Sequence, residues 1–233
     1  EVIFYVRYVD DIFMLLSSIG SHDSIEGYYK DFKTFFIDKG LSLKDVGENK
    51  CKLLDYVNGG KPHDSFYYLG YNINLTLQGG WLKADFSISE KKRDKLRNRI
   101  QNAFLHFENL SKVDLKQARR DLLDALRLIS GNIRLRNSKN GIKAGLYYSN
   151  DLLDEIGLKE LDSFTQHIHH MSLNVPEQTI ADDKERREFV NKLRKRIEKT
   201  DLVQSWKNRT MYNIHMDRLS EIMKWLDYGK EEN

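Results

Sequence analysis

The chain has 233 residues, 40% hydrophobic and 31% charged, with two prolines, fourteen glycines and one cysteine. That apolar content suffices for one or two buried cores and excludes a globally disordered chain. No apolar run approaches the roughly 20 residues of a bilayer-spanning helix, and Cys51 alone makes neither an internal disulfide nor a cysteine-based zinc site, so a cytosolic protein is expected. The net charge of +3 is unevenly spread: residues 1–86 carry 9 Lys and Arg against 12 Asp and Glu, residues 87–146 carry 15 against 6, and residues 147–233 carry 14 against 17. A middle third that holds the whole positive excess is the footprint of a surface that meets phosphate.

The chain opens on Glu1-Val2-Ile3-Phe4-Tyr5-Val6, too short and too uncharged at its start for a signal peptide, and is expected to be part of a longer polypeptide. Val2–Tyr8 and Ile12–Leu16 are apolar runs separated by Val9-Asp10-Asp11, a pattern that predicts a β-hairpin. From Ser24 to Lys39 apolar residues recur every three or four positions, the period of a helix laid on a sheet, and Gly40 is placed to stop it. Leu41–Leu43 and Cys51–Val57 read as short strands, with Asn58–Pro62 as a turn. Phe66–Leu77 and Trp81–Phe86 predict a second hairpin across Gln78-Gly79-Gly80.

Beyond Ser87 the period becomes helical. Ser89 is a predicted N-cap for a helix over Glu90–Asn109, whose first half carries Lys91, Lys92, Arg93, Lys95, Arg97 and Arg99. A second amphipathic helix is predicted over Asp114–Ser130, closed by Gly131. Residues 132–150 are expected to be an irregular or short-stranded link in which Arg134, Arg136, Lys139 and Lys143 interleave with Tyr147 and Tyr148, the composition of a single-strand contact surface. Helices are then expected at about 151–172, 182–200 and 211–227. His167, His169 and His170 read as an ordinary polar helix face rather than a metal site.

The sharpest feature is Tyr8-Val9-Asp10-Asp11 at the tip of the first hairpin. Adjacent carboxylates on a rigid support supply hard oxygen ligands for divalent cations, and two Mg²⁺ ions about 4 Å apart activate an attacking hydroxyl and hold a leaving phosphate. Flanking strands that bury both arms set this pair apart from Asp182-Asp183, which reads as a helix start.

Here the chain resembles a reverse transcriptase, whose catalytic hairpin carries Tyr-x-Asp-Asp between apolar strands. Gly40-Leu41 followed by Lys50 resembles the family's Gly-Leu turn and subsequent lysine. Phe66-Tyr67-Tyr68-Leu69-Gly70-Tyr71 resembles its primer grip, and the basic residues 87–146 stand where a helical thumb follows. The resemblance covers residues 1 to about 130. It implies an α+β fold: the C-terminal half of a polymerase palm, an antiparallel sheet plus a helix (1–86), then an α-helical thumb (87–146) and a helical extension (147–233).

By that resemblance Asp10 is the principal ligand of two Mg²⁺ ions, with Mn²⁺ as substitute, and Asp11 stands beside it. Tyr8 approaches the nucleotide or primer end, Lys50 donates a proton to departing pyrophosphate, and Tyr68, Leu69 and Gly70 let the backbone approach the primer. Lys91, Lys92, Lys95, Arg99, Arg134 and Arg136 are the expected nucleic-acid contacts. The partners implied are an RNA template, a DNA product, deoxynucleoside triphosphates and a dedicated non-coding RNA, with no membrane; homo- and hetero-oligomers are both open. The family also places another aspartate on a strand upstream of the hairpin, so an earlier part of the polypeptide or a companion chain is expected to supply it. The closest likeness is to bacterial stand-alone enzymes of the phage-defence-associated or retron-like sort. The alternatives are a non-catalytic nucleic-acid-binding or scaffold subunit and a retroelement-encoded reverse transcriptase.

Overall fold

The computed structural model describes residues 2–17, 25–47, 51–55, 65–79, 81–135 and 143–227. They form a mixed α+β protein that divides into two compact units, Glu1–Asp85 and Phe86–Asn233. No helix among the described residues is long and apolar enough to cross a membrane.

In the first unit, strands β1 (Val2–Tyr8) and β2 (Asp11–Leu16) pair antiparallel, with Val6 opposite Phe13 and Tyr8 opposite Asp11. Helix α1 (Ile25–Asp38) follows. It ends as expected: Gly40 takes φ +72°, and the Leu41 amide donates back to the Phe36 carbonyl at 2.9 Å, a Schellman closure. Leu41–Leu43 and the described part of the second expected strand, 51–55, carry no β-structure. Side chains of α1 hold the first of these segments instead: the Tyr29 hydroxyl donates to the Lys44 carbonyl, and Lys33 pairs with Asp45. The turn expected at Asn58–Pro62 lies outside the described residues.

The second hairpin region holds one strand more than the sequence pattern suggests. What reads as a continuous run from Phe66 to Leu77 is broken at Leu69-Gly70 into β3 (Ser65–Tyr68) and β4 (Tyr71–Gln78), and β5 (Trp81–Ile88) completes a sheet of order β3-β4-β5. Leu69 at φ +48° and Gly70 at φ +81° both have left-handed backbones, the mark of a type I′ turn, and Tyr68 faces Tyr71 across it. Leucine is seldom found in such a position, which is why the break is invisible in the residue pattern. Tyr71 and Ile73 are the buried apolar side chains among the described residues of this unit, and α1 buries none of its own.

The second unit is mostly helical: α2 (Glu90–Leu110), α3 (Leu115–Ser130), α4 (Glu155–His170), α5 (Asp183–Ile197), α6 (Leu202–Lys207) and α7 (Met216–Leu226). Ser89, Asp114, Asp182 and Asp201 cap α2, α3, α5 and α6 by accepting a backbone N–H of the first turn, and Asp154 does the same for α4. Ile100, Phe104 and Phe107 of α2, Leu122 and Leu126 of α3, Leu161 and Ile168 of α4, and Ile222 and Leu226 of α7 form the core. Residues expected as thumb and as extension therefore share one interior.

Between these helices lies a three-stranded sheet of order β7-β6-β8, built from β6 (Asn132–Leu135), β7 (Lys143–Gly145) and β8 (Met211–Ile214). Residues 211–214 were expected to open the last helix. They form a strand instead, parallel to β6, with Asn132 opposite Met211. Asn132, wholly buried, explains the arrangement: its Nδ2 donates to the Thr210 carbonyl at 3.2 Å and its Oδ1 accepts the Tyr147 amide at 2.9 Å. Opposite it, Gly145 takes φ +128°, where a Cβ would lie 2.6 Å from the Asn132 Cα.

Candidate active site

The tip of the first hairpin is a strained turn. Val9 takes φ +56°, a conformation that a β-branched residue adopts at a cost of order 1–3 kcal/mol. The Arg7 guanidinium braces it by donating from Nε to the Val9 carbonyl at 2.6 Å. A positive φ at the first central position alone is the pattern of a type II′ turn, whose twist matches the flanking strands. Asp10 thus sits in the turn and Asp11 at the first position of β2, both exposed to solvent, with Tyr8 beside them at 61% exposure.

The second hairpin comes to this tip through aromatic packing. Phe13 of β2 stacks on Phe66 of β3, with centroids 5.6 Å apart and planes 15° from parallel, and meets Tyr68 at 5.8 Å. Because neighbouring strand residues face opposite sides, Tyr67 is 55% exposed while Tyr68 turns inward. The Tyr68 hydroxyl is buried with no hydrogen-bond partner among the described residues. Burial raises the Tyr68 phenol above its ordinary pKa, and the negative charges of Asp11 and then Tyr5 add to the shift. Phe13 thus holds Tyr68, the first residue of the segment expected to serve as primer grip, within range of the Asp11 charge. Leu69 is 41% exposed at the turn.

Two adjacent carboxylates offer the hard oxygen donors that Mg²⁺ takes. They fit as part of such a site. Among the described residues no third His, Cys, Asp or Glu converges with them, nor does any other group of three that could hold a metal ion form. Lys50 lies outside the described residues.

The basic residues expected to meet nucleic acid all belong to the second unit, and several have internal partners. The Lys92 ammonium donates to the Ser149 carbonyl at 2.7 Å and to Asn150 Oδ1 at 3.1 Å. Burial holds its pKa below the usual lysine value, against the opposing pull of Asp151. Arg99 makes a two-pronged pair with Asp227, both contacts 2.7 Å, and Lys95 stands 4.0 Å from the same carboxylate. Lys91 and Arg134 are exposed, and Arg136 and Lys139 lie outside the described residues.

Tyr147 and Tyr148 pack edge to face at 5.5 Å, and Tyr147 also meets Trp206 at 5.6 Å beneath the Arg209 guanidinium, 4.5 Å from its ring. Trp206 and Arg209 come from about 60 positions further along the chain, so no local pattern announced them. His167 and His169 each bury an Nε2 that has no hydrogen-bond partner among the described residues.

A separate polar cluster went unread in the sequence. Asp121, 3% exposed, accepts from His106 Nε2 at 2.9 Å, Gln117 Nε2 at 2.7 Å and Arg218 at 2.7 Å, while His106 stacks flat on Trp225 at 4.0 Å. Burial alone lowers the Arg218 pKa, but hydrogen bonds to Asp121, Asp124 and Glu221 outweigh it and hold the guanidinium still more firmly charged than usual. Helical spacing marks Asp121 and Asp124 only as interruptions of an apolar stripe, because His106 and Arg218, which complete the cluster, come from α2 and α7. No family model matches the chain, and no solved structure matches it.

Proposed function

We propose that this chain carries the catalytic hairpin, primer grip and thumb of an RNA-directed DNA polymerase, a reverse transcriptase of the bacterial stand-alone, antiviral-defence type. The observation that carries the reading is the packing of two hairpins: Phe13 of the Asp10-Asp11 hairpin stacks on Phe66 of β3 and meets Tyr68, which immediately precedes the Leu69-Gly70 turn and whose phenol feels the charge of Asp11. A polymerase needs this adjacency, because the primer end must lie against the metal-bearing carboxylates.

In this reading Asp10 and Asp11 hold magnesium together with a carboxylate from another segment of the polypeptide or from a companion chain. When bound, the ions lower the barrier to attack of the primer 3′-hydroxyl on the nucleotide and neutralise the departing pyrophosphate. The protein's own part is positional. Arg7 fixes the turn through the Val9 carbonyl, Tyr8 stands exposed beside the carboxylates, and Gly70, lacking a side chain, lets the primer backbone approach. The flanking strands do not bury both arms as the sequence pattern suggests: Val2, Ile3, Phe4 and Tyr5 of β1 are 46–60% exposed. A two-stranded ribbon is marginal by itself, and the remaining strands of a palm would cover that surface.

The test is deoxynucleotide incorporation on an RNA template by the full-length polypeptide. Asp10→Asn is expected to reduce the rate about a thousandfold, in line with the loss of a principal charge-stabilising group. Equal product from both proteins would instead favour a non-catalytic nucleic-acid-binding subunit.

A further inference from the structure

Half of α3 is core: eight of its sixteen residues are buried. Its outer stripe carries Lys116, Arg119, Arg120 and Arg127, which line a groove of about 480 Å³ together with Arg196 from the last turn of α5. That volume is in the range of small-molecule sites. Leu123 is its apolar lining residue, and no aromatic ring borders it.

Two acids also line the groove, and both are engaged. Asp114 accepts the Gln117 amide at 2.9 Å as the cap of α3. Asp124 lies 3.3 Å from Arg127 and 4.0 Å from Arg120, and Arg218 of α7 holds it at 2.9 Å without lining the groove. Lys116, Arg119 and Arg196 make no ion pair among the described residues. Lys116 and Arg119, three positions apart, are neighbours on the helix surface, with Cβ atoms about 5–6 Å apart. Arg196 joins them from a second helix. Three cations without a counter-charge thus share one small volume, an arrangement that repels itself until an anion enters. Guanidinium forks take phosphate oxygens in pairs. Phosphates joined by a shared oxygen stand closer together than phosphates separated by a sugar, so a triphosphate tail carries its charge at the density of this cluster. Such a tail brings about four charges, up to two on its end phosphate and one on each of the others.

We propose that the α3–α5 groove binds the linked phosphates of a small molecule, either the tail of a free nucleoside triphosphate or an inorganic polyphosphate. With no ring to stack on, a base contributes nothing, and recognition runs through phosphate oxygens alone. Both lining carboxylates already hold donors of the chain, so neither is left to share a cation with the ligand, and the metal-free anion is the form bound. This inverts the requirement of the acidic turn, whose carboxylates need Mg²⁺ before a triphosphate can approach. An anion that bridges α3 and α5 ties the two helices together, so occupancy stabilises the helical unit. The site belongs to the second unit alone and goes beyond the polymerase reading.

The test is isothermal titration calorimetry on the whole chain in EDTA, with tripolyphosphate, dATP and dCTP as separate ligands. Saturable binding tighter than about 1 mM is expected, with dATP and dCTP indistinguishable and a melting temperature that rises with ligand. Binding of all three ligands identifies a nucleotide tail as sufficient, and binding of tripolyphosphate alone identifies an inorganic polyphosphate. Arg119→Gln and Arg196→Gln should each weaken binding about tenfold, the loss of one charge-assisted pair. Arg196→Lys should recover part of it, and excess Mg²⁺ should weaken binding to the wild type. Gln at Lys159, Lys184 and Lys207, which lie outside the groove, should change nothing. Lys116→Gln, at an exposed position, serves if the arginine variants fail to fold. Unchanged affinity in a folded groove variant, orthophosphate bound as tightly as tripolyphosphate, or displacement of tripolyphosphate by an RNA duplex or poly-glutamate at equal charge concentration overturns the proposal. Because magnesium is absent, this result stands apart from whether the acidic turn supports synthesis.

Discussion

Tyr68 is the residue through which the candidate site reports on itself. Its phenol is raised above the ordinary tyrosine value by burial first and by the charge of Asp11 second. Asp11→Asn removes that charge, so the Tyr68 pKa should fall toward 10.0, as read by NMR titration of its ring; an unchanged value would show that the carboxylate is not its neighbour. The sign for stability follows from the same shift. An unfolded chain releases the phenolic proton near pH 10, before the folded chain does, so the contribution of Tyr68 is complete below that pH and is lost as pH rises through the folded pKa. Asp11→Asn should reduce this alkaline loss.

Leu69 supplies a second prediction at this scale. Asn tolerates its left-handed backbone where Leu is strained, and Asn-Gly is the favoured type I′ pair. Leu69→Asn is therefore expected to stabilise the first unit by about 1 kcal/mol in thermal melts while lowering primer extension. A variant that melts lower, or one that extends primers as well as the wild type, would count against a turn held strained for function.

At the scale of elements, charge and partner must be read together. Sequence alone makes Arg99 one of six cations crowding the start of α2. In the fold it clamps α2 to α7 through Asp227, one turn before Asn102 donates to the Leu226 carbonyl and two turns before His106 stacks on Trp225. With its side chain about one-fifth exposed, Arg99→Ala should destabilise the helical unit by about 2 kcal/mol. Arg99→Lys should restore little, because the two-pronged geometry is lost. Neither change should alter the salt slope of nucleic-acid binding; a drop near 0.9 would instead mark Arg99 as a phosphate contact.

The elements that the sequence predicts well are those whose signals are local. The Ser89 cap, the stripes of α2 and α3, the Gly40 stop and the first hairpin all depend on residues within a few positions of one another. The elements missed depend on distant partners or on unusual backbone. Strand β8 was hidden because Tyr212, Met216 and Leu219 keep helical spacing, and only pairing with β6, about 80 positions earlier, makes 211–214 extended. The turn between β3 and β4 was hidden because Leu69 is not a turn residue by type. Of the candidate site, the paired carboxylates were visible in the sequence, whereas the packing of Phe13 on Phe66 and Tyr68 was not.

For the whole molecule, the mixed α+β architecture separates two kinds of chemistry. The first unit carries the acidic turn and little buried apolar surface; the second carries the larger core and the basic groove. The account rests on the acidic turn being a cation site, and the molecule holds its own control. Asp182 and Asp183 are also adjacent carboxylates, but Asp182 caps α5 and Asp183 pairs with Arg186. The most direct measurement is paramagnetic broadening of backbone amide signals on addition of Mn²⁺ in place of Mg²⁺. Broadening centred on Tyr8–Asp11 and reaching Tyr68, absent from the Asp10→Asn, Asp11→Asn protein and weak at Asp182–Asp183, is the predicted result. Equal broadening at both acidic pairs, or none at Tyr8–Asp11, would contradict it.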